Sequence, residues 1–163
     1  MERKKSEFDQ KENPYDTWLD EYEEDLTQET VHHYFSELKE QLLPLLKKVR
    51  KEFLAEKKEL TYDKEKLELL NKKILSYMGF DETVSRIDEY VHPFSTGNMS
   101  TTDVRITTAY RKDFDFTILS SIHEYGHAMY ELGSDIQLNM TPAIGGTSLI
   151  IHESQSRFWE NFF

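Results

Sequence analysis

The chain has 163 residues, the length of one domain with a modest core. Its 31 acidic against 20 basic residues give a net charge of −11, which disfavours nucleic acid and anionic membranes as partners. It has no cysteine, which excludes disulfides, a thiolate nucleophile and a sulfur-ligated metal. Polar acidic sequence rather than an apolar leader follows Met1-Glu2-Arg3-Lys4-Lys5, and no apolar run has membrane length, so the cytoplasm is the expected compartment.

Up to about Met78 the chain reads as charged and helical. Asn13 caps a first helix with Pro14 at its first position. Thr27 then precedes Val31, Phe35, Leu38, Leu42, Leu45, Leu46, Val49 and Phe53 at helical spacing, a run that Pro44 should kink or interrupt. Asp63 opens another helix through Leu67, Leu70, Ile74 and Tyr77, closed by Gly79. Nothing chemical stands out in residues 1–79, which read as a helical scaffold segment, and the adjacent His32 and His33 read as surface residues. The pattern changes from Phe80. Gly97, Asn98 and the neighbouring Ser and Thr residues read as a loop, and Val104-Arg105-Ile106-Thr107-Thr108 alternates in strand fashion. Residues 80–163 form a second segment of the same domain.

Chemistry enters at His123-Glu124-Tyr125-Gly126-His127, an H-E-x-x-H pattern. On a helix its two histidines sit about 40° apart around the axis, one turn above the other, where one cation can bind both rings. Glu124 lies about 60° further round, placed to take a proton from a metal-activated water rather than to ligate. The bland alternative is a solvated helix face. The apolar flanks Phe114, Phe116, Ile118, Leu119, Ile122, Met129 and Leu132 argue against it, because a buried histidine needs a partner. Asp113 or Asp115 caps the start of this helix, and Gly133 is expected to close it in a left-handed conformation. Metal-assisted hydrolysis with Zn²⁺ is therefore expected, though another divalent cation such as Co²⁺ suits the same donors.

Catalytic zinc sites usually have three protein ligands and an open position. The third candidate lies on a helix that begins after Gly145-Gly146, with Thr147 or Ser148 as its cap. His152 and Glu153 are neighbours pointing about 100° apart, and spacing alone does not choose between them. An ion pair from Glu153 to Arg157, four residues on, is the structural alternative for that carboxylate.

The run His152-Glu153-Ser154-Gln155-Ser156-Arg157-Phe158-Trp159-Glu160-Asn161 resembles the second signature of the M32 carboxypeptidases, the thermostable carboxypeptidase Taq family. His92-Pro93-Phe94 resembles its H-P-F element, Asp103 to Thr108 its D-V-R-I-T-T element, and His123 to His127 its H-E-x-x-H helix. Asn13-Pro14-Tyr15-Asp16 and Leu19 to Glu23 also resemble its N-P-Y-D and L-D-E-Y-E segments. The resemblance implies a mainly α, zincin-like helical metallopeptidase core with a small β-sheet around residues 86–110. It implies His123, His127 and Glu153 as metal ligands, Glu124 as general base, and a peptide with a free C-terminus as substrate. The resemblance also implies a homodimer, the usual state of the family's members. His92 and Arg105 become candidates for substrate binding, with a rigid turn and an ion pair to Asp88 or Asp103 as their structural alternatives. Glu131 and Ser120, one turn either side on the metal face of the helix, are candidates for supporting the ligands, with an exposed surface position as the alternative for Glu131, and Arg157 can steady the Glu153 carboxylate. In metallopeptidases of this general type a strand near the active-site helix can pair with extended substrate backbone.

The resemblance covers only the family's middle third. The later I-R-x-x-A-D and G-x-x-Q-D-x-H-W elements have no counterpart, and Phe162 and Phe163 end the chain without following sequence to pack on. A truncated, catalytically inactive fragment that binds metal or serves as a helical interaction module is therefore the alternative to a metallocarboxypeptidase. An endopeptidase sharing the His-His-Glu chemistry is a third reading.

Overall fold

In the computed structural model, which describes residues 11–52, 62–97, 100–111, 113–146 and 148–162, short polar side chains set where the helices begin. Asn13 Oδ1 accepts from the Tyr15 amide at 3.0 Å and Pro14 needs no amide partner, so helix α1 spans Pro14–Tyr22. Thr27 Oγ1 accepts from the Thr30 amide ahead of α2, Gln28–Glu52. Asp63 Oδ1 accepts from the amides of Glu65 and Lys66 ahead of α3, Lys64–Tyr77. Gly79 follows with φ of +91°, a conformation that costs glycine no Cβ clash.

Pro44 does not interrupt α2. It removes one amide donor, and the helix around Glu40 is exposed, where solvent can satisfy the freed carbonyl. Phe53 lies outside the described residues.

The chain forms two compact units, Met1–Lys58 and Glu59–Phe163. In the first, α1 packs on α2, and Leu38, Leu42, Leu45 and Leu46 of the apolar stripe are exposed. The second begins early enough to take in α3, the helix that sequence pattern grouped with the scaffold segment.

The sheet of the second unit has the order β1-β3-β2, with β1 at Ser85–Glu89, β2 at Phe94–Gly97 and β3 at Val104–Thr108. Strand β3 pairs parallel with β1, Ser85 opposite Val104, and antiparallel with β2, Phe94 opposite Thr107. It is the central strand, so both its edges are taken and its backbone is not open to an extended peptide. Gly97, expected in a loop, ends β2 instead; Asn98 lies outside the described residues.

Alternation along β3 buries Val104, Ile106 and Thr108 and exposes Arg105. The buried face meets α4, Phe114–Leu132, through Ile118, Ile122, Tyr125 and Ala128, and Leu67 and Leu75 of α3 complete the core. A short polar chain runs through it. Asn71 Nδ2 donates to Ser121 Oγ at 2.9 Å, Ser121 donates to the Thr117 carbonyl at 2.9 Å, and Thr108 Oγ1 lies 2.6 Å from Ser121 Oγ. With its hydroxyl satisfied in this way, the buried serine carries little of the several kcal/mol that an unpaired polar group would cost.

Asp113, rather than Asp115, caps α4, accepting from the Phe116 amide at 3.3 Å. The left-handed closure expected at Gly133 does not occur: its φ is −77° and ψ −6°. The amides of Gly133 and Ser134 bond back to the carbonyls of Met129 and Glu131 at 3.1 Å each, so a continued right-handed turn satisfies the helix end without reversal. After a single turn at Ile136–Leu138, the last helix, α5, spans Leu149–Phe162. Ser148 Oγ accepts from the Ile151 amide at 3.0 Å ahead of it; Thr147 lies outside the described residues. No helix among the described residues is long and apolar enough to cross a membrane.

Candidate metal centre

Helices α4 and α5 approach closely at Gly126, the fourth residue of the H-E-x-x-H run. A Cβ there would lie 2.6 Å from Ser156 Cα and 3.3 Å from the Gln155 carbonyl oxygen, both backbone atoms. Gly126→Ala is therefore expected to force α5 outward. Its cost should be about 1–3 kcal/mol in denaturant unfolding, the usual range for overpacking, with a parallel loss of metal affinity as Glu153 retreats. An alanine variant of unchanged stability and affinity would show that the approach is not needed.

That approach sets Glu153, one turn before Ser156, opposite the two motif histidines. His123 Nε2 and His127 Nε2 stand 3.1 Å apart. Glu153 Oε2 lies 3.8 Å from the first and 3.3 Å from the second. Ligands about 2.0–2.2 Å from a tetrahedral cation stand roughly 3.3–3.6 Å from one another, so the three atoms fit one face of such a polyhedron and leave its fourth corner open. Among the described residues this is the group of His and carboxylate side chains able to hold a metal ion. Two imidazoles and a carboxylate make a donor set suited to zinc and to other divalent cations.

The local electrostatics favour ligation. Burial, with His152 and His123 close by, pulls His127 down to about 4, so its ring is neutral and has a lone pair to give at neutral pH. Burial alone would raise Glu153, but the hydrogen bond from Arg157 and the nearby histidines outweigh it and hold the carboxyl below its usual range. Burial pushes Glu124 above the usual carboxylate range, against the opposing pull of His123 and a hydrogen bond from Ser95. Glu124 thus sits beside the candidate ligand group without belonging to it, as a more basic carboxylate than one in water.

Arg157 reaches both neighbouring acids on α5: Nε donates to Glu153 Oε1 at 3.0 Å and Nη1 to Glu160 Oε2 at 2.9 Å. Glu160 Oε2 also lies 3.0 Å from His123 Nδ1. His152 turns the other way. Its ring packs 4.4 Å from that of His127 and 5.0 Å from Tyr130, and its Nε2 lies 3.7 Å from Glu131 Oε1. Glu131 is thereby directed at His152, and Ser120 bonds to the Thr117 carbonyl of its own helix at 3.2 Å.

His92 and Arg105 do not join the group. His92 is exposed, and its carbonyl accepts from Thr107 Oγ1 at 2.9 Å. Arg105 lies on the sheet face away from α4 and forks onto Asp103, with Nε and Nη2 each 2.9 Å from a carboxylate oxygen. Sequence reasoning missed Glu160, Ser95 and the contact at Gly126. Glu160 had a readable signal: seven residues after Glu153, it recurs on nearly the same helix face two turns on. Ser95 had none, since only the sheet brings it to α4.

The sequence profile of the carboxypeptidase Taq (M32) metallopeptidases matches residues 1–163. Thermostable carboxypeptidase 1 of Pyrococcus furiosus is 48% identical over 158 residues, an alignment covering 92% of this chain and 31% of that protein. Carboxypeptidase 1 of Bacillus subtilis is 42% identical over 159 residues, covering 93% of this chain and 31% of the relative. The crystal structure of the M32 carboxypeptidase from Deinococcus radiodurans matches the fold with a TM-score of 0.90 at 34% identity, across 98% of this chain and 33% of that one. The chain therefore spans about a third of the length of the relatives it matches.

Proposed function

Because this chain belongs to the carboxypeptidase Taq (M32) metallopeptidase family, we propose that it carries a metallocarboxypeptidase site releasing amino acids from the free C-terminus of peptides. The observation that carries this reading is the convergence of His123 Nε2, His127 Nε2 and Glu153 Oε2 within 3.1–3.8 Å, beside the buried carboxylate of Glu124. A divalent cation held by these three residues, zinc on this donor set, supplies Lewis acidity to a water and to the scissile carbonyl.

The remaining steps belong to the protein. Glu124 takes the water's proton, an action favoured by the basicity that burial gives it, and later delivers that proton to the leaving nitrogen. Ser95 orients the Glu124 carboxylate from β2. Strand β2 is the sheet edge on that side, which suits it better than β3 to align an extended peptide. Arg157 steadies the Glu153 carboxylate through the oxygen that does not face the histidines.

A second reading, metal binding without turnover, is favoured by one observation. The Glu153 side chain is 51% exposed, so α5 leaves the site open to water, which weakens electrostatic catalysis. Zinc stoichiometry measured together with hydrolysis of an N-blocked dipeptide distinguishes the two. The expected result is one zinc per chain and release of the C-terminal residue that stops on chelation. Bound zinc without release supports the second reading, and no bound zinc removes the ligand assignment. Cleavage of peptides blocked at both ends would point to an endopeptidase.

A further inference from the structure

We propose that Glu160 is the positioning residue of His123, accepting the Nδ1 proton and so aiming the bare Nε2 at the cation position. The proposal rests on the ligand reading given above and adds a residue to it. Glu160 Oε2 lies 3.0 Å from His123 Nδ1, with both side chains mostly buried at 24% and 17% exposure. An ionised carboxylate only accepts, so this contact is a hydrogen bond only if Nδ1 carries the proton. A neutral imidazole with its proton on Nδ1 has its lone pair on Nε2. That atom faces His127 Nε2 at 3.1 Å and Glu153 Oε2 at 3.8 Å. The opposite tautomer would set a lone pair against the carboxylate and a proton where the cation belongs. A hydrogen bond from the far ring nitrogen also makes the ligating nitrogen more electron-rich.

The helix geometry explains why α5 provides both a ligand and its orienter. Glu153 and Glu160 are seven residues apart, so they recur about 20° apart on one face, roughly 10 Å along the axis. Arg157 lies between them and bonds to both, which holds the two carboxylates at a set separation. The competing account makes Glu160 no more than the partner of Arg157 in an ordinary helix-surface pair, worth a few tenths of a kcal/mol. Under that account His123 and the metal would not respond to its removal.

The test is zinc affinity of the full 163-residue chain, measured by competition with a chromogenic chelator. Glu160→Ala is expected to weaken binding about 10–100-fold, the usual loss when the partner of a ligating histidine is removed. Circular dichroism should show unchanged helix content. Glu160→Gln, whose amide oxygen still accepts, should recover most of the affinity. Ring nitrogen-15 spectra of the metal-free chain should show His123 protonated at Nδ1 in the wild type and a mixture of tautomers in Glu160→Ala. Wild-type affinity in Glu160→Ala, or a wild-type His123 protonated at Nε2, overturns the positioning role alone. A wild-type chain that takes up no zinc overturns the ligand reading, and the role given to Glu160 falls with it.

Discussion

Glu124→Gln is expected to retain zinc and to lose turnover by about 10²–10⁴-fold, the range that a positioned general base contributes. The amide keeps the size of the side chain and can still accept the hydrogen bond from Ser95, so the core around α4 should not change. Glu124 is also no member of the candidate ligand group of His123, His127 and Glu153, so removing its charge leaves all three donors in place. What disappears is the ability to take a proton. Equal zinc stoichiometry with kcat reduced by orders of magnitude would bear out the assignment; near-normal kcat in the variant would remove it.

The second large effect belongs to the proposed ligands. His123→Ala and Glu153→Ala should each lower zinc affinity by more than roughly 100-fold, beyond what loss of a supporting residue costs, and abolish hydrolysis with it. His152→Ala is the informative control. Spacing alone allowed either His152 or Glu153 as third ligand. The fold directs Glu153 Oε2 to 3.3 Å from His127 Nε2, whereas His152 Nε2 points to Glu131 at 3.7 Å. His152→Ala should therefore keep its zinc. Competition titration of the three variants side by side decides the matter. Loss of zinc in His152→Ala with retention in Glu153→Ala would reverse the ligand assignment.

Much of the local structure could be read from single residues. Asn13 and Asp63 cap their helices because a short acceptor before a helical run has free amides to satisfy, and the closing glycine at position 79 has the positive φ expected of it. The alternation from Val104 to Thr108 marked a strand with the right bounds. Gly133 was misread because glycine permits a left-handed ending without requiring one, and the next two amides already satisfied the last carbonyls. Pro44, expected to kink or interrupt α2, leaves the helix unbroken because the cost of one lost bond falls where solvent can meet it.

The sequence by itself determined that His123 and His127 share a helix face and that Glu124 stands beside them, because helical period is a property of the backbone and needs no partner. It could also supply, through the resemblance of Glu153 and its neighbours, the family to which the chain belongs. Only the tertiary structure decided which side of α5 meets that face, and that depends on how closely two helices approach. Gly126, an unconstrained position in the motif, has no Cβ to keep Ser156 away. That contact brings Glu153 to the histidines, turns His152 towards Glu131 and sets Glu160 behind His123.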